Sequence, residues 1–488
     1  MSSHIPLQLT MSLQTCWRCL SKTSKPPLFS LQHPLQSWLL LPATIAPFTT
    51  SASLAKQIVN SPKVPKKKKE NNVLKVATGF RKKSKKPTDV GKGRRPAPGE
   101  RKALRKRVVL SNTNALEVHG LQDIDAESMM NESFRGQVLG IPGRIVDRLR
   151  AVEAFKVPQG WALFRRPAML MRKETLDFGR EVEGIARDEK KKSIRRVYVG
   201  ERGSGKSLML LQAMTMAFLK DWVVINIPNA QDLISAQTEY GPVPDTTPTL
   251  YAQRNYTATL LSTIARSNPS LTDLQLTQPT NLSDIPIPIP PNISLARLAS
   301  IGSSDPEIAW PIFQVLLSEL KKPSRPPLMF CLDGLAHIMC DTRYIAPPEY
   351  KPIHAHDFTI IKSFLDHLSG AENLPNGGAI LAATSNSNNP VIPSLDLALS
   401  QLRGNQTVER DPFAKYDERV LGVFNKGGVE VQTIGGITKE DARALMEYWA
   451  KSGVCRQRVD EGFVGEKWTL SGGGVVGELE RAVIRMRV

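Results

Sequence analysis

The first 55 residues contain no aspartate or glutamate, the most telling gap in this 488-residue chain. Serine, threonine, leucine and proline fill the stretch, with Arg18, Lys22 and Lys25 scattered among them. An acid-free leader of this composition resembles a mitochondrial transit peptide. A secretory signal is disfavoured, because the apolar stretch comes late and prolines interrupt it. Long apolar runs are missing as well. Trp38-Leu39-Leu40-Leu41 is far short of the roughly 20 residues that a membrane-spanning helix requires, so no span is expected. Cysteine is scarce: of five, only Cys16-x-x-Cys19 has a suggestive spacing. No second pair or histidine partner completes a zinc site there, and so few thiols argue against a disulfide framework. The compartment implied is a reducing one.

Acidic residues stay rare for another 50 positions, and there the chain turns basic. Up to Arg107 there are 23 Lys and Arg against three acids (Glu70, Asp89, Glu100), whereas the remaining 42 basic and 43 acidic residues nearly cancel. The formal charge of +19 is therefore a property of an N-terminal tail. Its clusters, Lys66 to Lys69 and Arg101 to Arg107 among them, are punctuated by proline and glycine with almost no aromatics, a composition expected to be disordered when free. Such a tail suits a polyanion, since each cation placed at a phosphate releases a counterion. RNA is the expected partner.

The body of the chain is organised around Gly200-Glu201-Arg202-Gly203-Ser204-Gly205-Lys206-Ser207, which fits the phosphate-loop pattern G-x-x-x-x-G-K-[ST] at every defined position. Glycines let the backbone curl so that successive N–H groups point inward at a polyphosphate. Lys206 is placed to reach the β- and γ-phosphates, and the Ser207 hydroxyl to coordinate Mg²⁺. Arg196 to Val199 reads as the strand entering the loop. Leu208 to Phe218 reads as a helix leaving it, apolar nearly all round and aiming its N-terminal dipole at the phosphates.

Downstream the pattern alternates as in an α/β fold. Trp222 to Ile227 is a buried strand, and an excursion over roughly 240–300 contains Ile285-Pro286-Ile287-Pro288-Ile289-Pro290-Pro291, whose prolines cannot join a ladder. A helix is expected at 307–321. Leu328 to Asp333 then matches the Walker B pattern, with Asp333 placed to hold Mg²⁺ together with Ser207. Gly334 stands where many hydrolysing ATPases carry a glutamate that activates water. Glu349 is a candidate substitute base, and Arg403 and Arg419 are candidate arginine fingers without positional support. Gly378 to Asn386 gives a further strand ending in polar residues, either a γ-phosphate sensor or an ordinary strand end. There is no Asn-Lys-x-Asp motif, which argues against a Ras-like GTPase.

At the flanks, Ile145 to Phe155 has helical spacing and Gly160 to Pro167 reads as extended, with Trp161 and Phe164 as packing residues. Thr438 with Asp441 is expected to cap a helix carrying Ala442, Leu445, Met446 and Trp449 on one face and ending at Gly453. His337, His354 and His356 read as loop or packing histidines, because no carboxylate–histidine set accompanies them.

Together these residues resemble the death-associated protein family, the P-loop protein of the mitochondrial ribosomal small subunit. The resemblance runs over roughly 145–488. It rests on Val199 to Ser207, Trp222 to Ala230, Leu332-Asp333-Gly334, Gly377 to Ile380 and Asp411-Pro412-Phe413. It implies an AAA-related nucleotide-binding fold fixed in the head of the small subunit near the subunit interface, binding GTP or GDP. ATP stays open from the residues themselves. Gly200, Glu201, Arg202, Gly203, Ser204, Gly205, Lys206 and Ser207 would cradle the phosphates, and Asp333 with Ser207 would serve the magnesium ion. Partners implied are small-subunit ribosomal RNA, neighbouring ribosomal proteins and a contact with the large subunit.

The organisation expected is a transit peptide at 1–55, a basic disordered tail at 56–110 and an extension packing on the core at 111–185. A P-loop domain with a parallel sheet flanked by helices follows at 186–410, and a smaller, mainly helical lobe at 411–488. The function expected is that of a structural component of the mitochondrial ribosome in the matrix, its nucleotide mainly a structural ligand. The alternative is an active P-loop NTPase working as a matrix switch or remodelling factor.

Overall fold

A computed structural model describes residues 107–187, 191–277, 290, 292–386, 389–404 and 408–484. The acid-free leader, the Cys16/Cys19 pair, the basic tail up to residue 106 and most of the isoleucine-proline run lie outside the described residues.

Five short segments carry the architecture: β1 (Ser193–Val199), β2 (Val223–Ile227), β3 (Leu328–Asp333), β4 (Gly378–Ala383) and β5 (Glu430–Thr433). They form one parallel sheet in the order β5-β1-β4-β3-β2. A parallel sheet is covered on both faces, which is why β2, β3 and β4 are apolar at nearly every position. Alternate side chains serve opposite cores. Val197, Ile225, Phe330 and Ile380 point to one, and Tyr198, Val224, Met329 and Leu381 to the other.

Helices α1 (Gly143–Ala151), α2 (Lys173–Arg187) and α3 (Lys206–Leu219) cover the second face. On the first lie α4 (Arg254–Ser267), α5 (Leu295–Ser304), α6 (Ala309–Leu320), α7 (Thr359–Ser369), α8 (Pro393–Arg403) and α9 (Glu418–Asn425). Helix α3 is apolar all round because it is wedged between the sheet and the N-terminal segment, with Leu210, Leu211, Met214 and Phe218 all buried. The result is a mixed α/β fold with a five-stranded parallel sheet flanked by helices.

A third apolar cluster is built by α10 (Lys439–Lys451), α11 (Glu461–Leu470) and α12 (Val476–Val483) around Ala442, Met446, Trp449 and Leu479. The Thr438 hydroxyl caps α10 by accepting from the Asp441 N–H at 3.2 Å. Leu170 and Phe164 of the N-terminal segment pack into the same cluster.

Several segments differ from their sequence reading. The helix expected to reach Phe155 stops at Ala151, and Glu153 takes a φ of +55° to turn the chain. The stretch read as extended from Gly160 begins instead with a 3-10 turn over Trp161–Leu163. Trp161 drives it, buried edge-to-face on Phe155 at 5.1 Å and donating its Nε1 to Gln159 Oε1 at 2.7 Å. The described part of the 240–300 excursion stays out of the central sheet, but it contributes α4 and α5 to the core. Residues 418–433, read as part of the C-terminal lobe, supply α9 and edge strand β5. Buried Arg196 on β1 draws β5 in, donating to Glu430 Oε2 at 2.6 Å and to Glu181 Oε1 at 2.9 Å.

Candidate functional site

The register of the sheet decides what meets at its carboxyl edge. Ala383 of β4 lies opposite Tyr198 of β1 on one side and Asp333 of β3 on the other. The glycine-rich loop leaving β1 and the carboxylate ending β3 therefore sit at one level, separated by a single strand. In an open parallel sheet this crevice, outside the carboxyl ends, is where ligands bind.

The loop needs its glycines. Gly203 and Gly205 have φ of +83° and +103°, and a Cβ on Gly200 would fall 2.3 Å from the Ile434 carbonyl. Gly205 is also the N-cap of α3, and it offers no side chain to the first N–H groups of that helix. The Lys206 ammonium folds back over the loop, donating to the carbonyls of Gly200 at 2.8 Å and Glu201 at 2.7 Å. Burial lowers its pKa, opposed by the charges of Asp333 and Glu201. Ser204 is 1% exposed, and its Oγ is buried without a hydrogen-bond partner.

Asp333, 5% exposed, accepts from Ser207 Oγ at 2.6 Å through Oδ2. The two residues read from the sequence as a pair are thus in contact. The same oxygen also accepts from Lys156 Nζ, a residue no sequence pattern singled out. Next in the chain, Gly334 has a φ of +93° and donates its N–H to Ala383 at 2.9 Å. A cleft of about 1090 Å³ opens in front of Asp333 and Gly334, walled by Lys156, Glu153, Asn229 and Ser385.

The model of the family described as "Mitochondrial ribosomal death-associated protein 3" matches residues 169–482. The chain belongs to that family. The "Small ribosomal subunit protein mS29" of Neurospora crassa is 42% identical over 481 residues, covering 97% of this chain and 98% of the relative. The protein of the same name from Schizosaccharomyces pombe is 25% identical over 371 residues, covering 74% of each chain. Among solved structures, the E. coli MS115-1 HORMA:CdnC:Trip13 complex aligns at 11% identity with a TM-score of 0.25, covering 72% of this chain and 83% of that one, a likeness too slight to bear on the fold.

In this member of the death-associated protein 3 family, the loop is held from three sides. Arg172, 6% exposed, donates to the carbonyls of Ser204 at 3.0 Å and Gly435 at 3.1 Å. Asn386 donates its Nδ2 to the Gly200 carbonyl at 3.1 Å, so the polar end of β4 does touch the loop. From the C-terminal helices, the Gly477 N–H donates to the Gly203 carbonyl at 2.9 Å. Neither Arg172 nor Gly477 was singled out from sequence. No local pattern marks Arg172, and only the fold buries it.

The other residues of sequence interest scatter. Arg403 lines a hollow of about 520 Å³ together with Gly200 and Glu201, beside the loop. Arg419 pairs with Asp357 at 3.3 Å, and Glu349 pairs with Lys351 at 2.6 Å on a separate two-stranded ribbon. His354 and His356 pack edge-to-face at 4.5 Å, and burial pushes His356 down to about 3. His337 lines the Asp333 cleft as a buried side chain, its pKa lowered by burial against the pull of Asp333. Among the described residues, no group of three or more His, Cys, Asp or Glu is placed to hold a metal ion, and no helix is long and apolar enough to cross a membrane.

Proposed function

We propose that this chain is a structural component of the small subunit of the mitochondrial ribosome, working in the matrix. One observation carries the reading: 42% identity across nearly the whole of both chains to a protein named for that subunit. The acid-free leader supports the address. The 23 Lys and Arg up to Arg107 support ribosomal RNA and neighbouring ribosomal proteins as partners, and a contact with the large subunit is proposed on the family resemblance alone.

Within that role, the glycine-rich loop is proposed to hold a purine nucleotide, GTP or GDP, with ATP as the alternative. Gly200 to Ser207 fit a polyphosphate on three counts. The first N–H groups of α3 have no side-chain cap, the buried Ser204 hydroxyl is unpartnered, and the Lys206 ammonium rests on carbonyls it can exchange for phosphate oxygens. An apolar slot of about 120 Å³ beside Gly205 and Leu208, walled by Tyr448 and Trp449, offers a base an apolar surface next to its phosphates. The Ser207 hydroxyl and the Asp333 carboxylate are hard oxygen donors of the kind magnesium takes, and they would hold it there. Magnesium, when bound, supplies charge neutralisation for the phosphates.

Retention of the nucleotide is favoured over turnover. Gly334 provides no carboxylate to activate water, and Glu349 is committed to Lys351 away from the loop. A bound nucleotide would then act by linkage, stabilising the loop between sheet and helices in the assembled subunit.

Sedimentation of a mitochondrial lysate on a high-salt gradient tests the reading. Salt-resistant cosedimentation with the small subunit is expected, with a guanine nucleotide released from the purified subunit on acid extraction. Recovery of the protein at the top of the gradient would overturn the ribosomal role.

A further inference from the structure

The carboxylate at the end of β3 already has a cation, and it comes from outside the sheet. Lys156 lies in the N-terminal segment, 177 positions before Asp333, yet its Nζ donates to Asp333 Oδ2, the oxygen that also accepts from Ser207. Its backbone is pinned. Phe155, 5% exposed, is anchored against the Trp161 ring, while the Lys156 N–H donates to Gln159 Oε1 at 2.8 Å and its carbonyl accepts from the Gln159 N–H at 3.2 Å. Gln159 Oε1 is held in turn by Trp161 Nε1 at 2.7 Å. The lysine stem thus starts from a fixed point on the cleft wall and ends on the carboxylate oxygen that Ser207 also bonds.

An ammonium has three donors. One is used on Asp333, which leaves two for the oxygens of a ligand in the cleft that Lys156 lines. A group that bonds the acidic residue on one side and phosphate oxygens on the other makes the bridge that magnesium makes in a phosphate-loop site. It does so with a charge of one and no need for a free ion.

Resting on the nucleotide reading above, we propose that Lys156 is the resident cation of this site: its ammonium bridges Asp333 to the phosphates, so that nucleotide binding does not require magnesium. Lys156 is a binding residue in this scheme, and the N-terminal segment becomes part of the nucleotide site as well as packing on the sheet. Magnesium can still join Ser207 and Asp333, as an addition to the lysine.

The test is a binding titration of the purified full chain with fluorescent N-methylanthraniloyl-GDP, in millimolar magnesium and again in EDTA. The wild-type Kd is expected to agree between the two conditions within about threefold, well inside the tenfold step that corresponds to 1.4 kcal/mol. Lys156→Ala is expected to bind about tenfold or more weakly in EDTA and to be restored by magnesium. Lys156→Met, which keeps the stem, serves if the alanine variant does not fold. A wild-type affinity that collapses in EDTA overturns the inference, and so does a folded Lys156 variant that binds in EDTA like wild type, as a mere fastening ion pair would. Absence of binding by wild type under both conditions overturns the nucleotide reading, and this inference with it.

Discussion

Arg172 donates to the main-chain carbonyl of Ser204 at 3.0 Å, so a side chain contributed from before the sheet begins holds the inner wall of the loop. Its second nitrogen bonds the Gly435 carbonyl beyond β5, tying the loop to the chain on both sides of the sheet. Arg172→Ala leaves two carbonyls unsatisfied and is expected to cost about 3 kcal/mol, since hydrogen bonds to charged groups contribute about 1.5–3 kcal/mol each. Arg172→Lys should not restore it, because one ammonium cannot span both acceptors. Urea denaturation midpoints of the three proteins decide the point.

Lys206→Ala removes the ammonium that rests on Gly200 and Glu201. If the nucleotide is a structural ligand, the variant should lose the thermal stabilisation that nucleotide confers on wild type, about 2.7 kcal/mol when the ligand is at a hundredfold excess over Kd. It should also enter small subunits poorly. A variant that assembles fully and supports translation would count against an essential ligand, whereas normal assembly with lost turnover would favour the switch-type enzyme.

Placing a glutamate after Asp333 should not create a hydrolase. At a φ of +93°, Gly334 holds a conformation that side chains adopt only at a cost of roughly 1–2 kcal/mol. A Cβ there would also approach His337 Cδ2 to 3.1 Å. Gly334→Glu is expected to lower stability by about that amount and leave phosphate release at the wild-type rate. A rise in turnover would show that only the missing carboxylate limits hydrolysis.

Acid stability should depend on Glu319 of α6. Burial alone would raise its pKa, but hydrogen bonds from Lys322, Thr277 and Arg325 outweigh that effect and bring it down to about 2. A carboxyl depressed in the folded state stabilises above its unfolded pKa, near 4.5, and loses that contribution as pH falls toward 2. Glu319→Gln should therefore be less stable than wild type at neutral pH, by on the order of 3 kcal/mol. The gap should close between pH 4.5 and 2, which is read from denaturation curves across that range. An unchanging gap would assign the loss to packing.

What the sequence by itself determined is the part governed by local rules. Four of the five strands were legible because a buried parallel strand must be apolar on both faces, and β2, β3 and β4 are apolar at almost every position. The turn after β1 was legible because only glycine accepts its backbone angles and its closeness to Ile434. Helix α10 announced itself through Thr438 and its apolar face. Tertiary structure decided the rest. Strand β5 is short and half exposed, with Glu430 and Gln432 in it, and it joins the sheet through an ion pair with Arg196, which periodicity does not report. Arg172 lies 32 and 263 positions from the two carbonyls it bonds, and Lys156 lies 177 positions from Asp333. A cation's partner at that separation is chosen by how layers stack, and the local sequence around it carries no record of the choice.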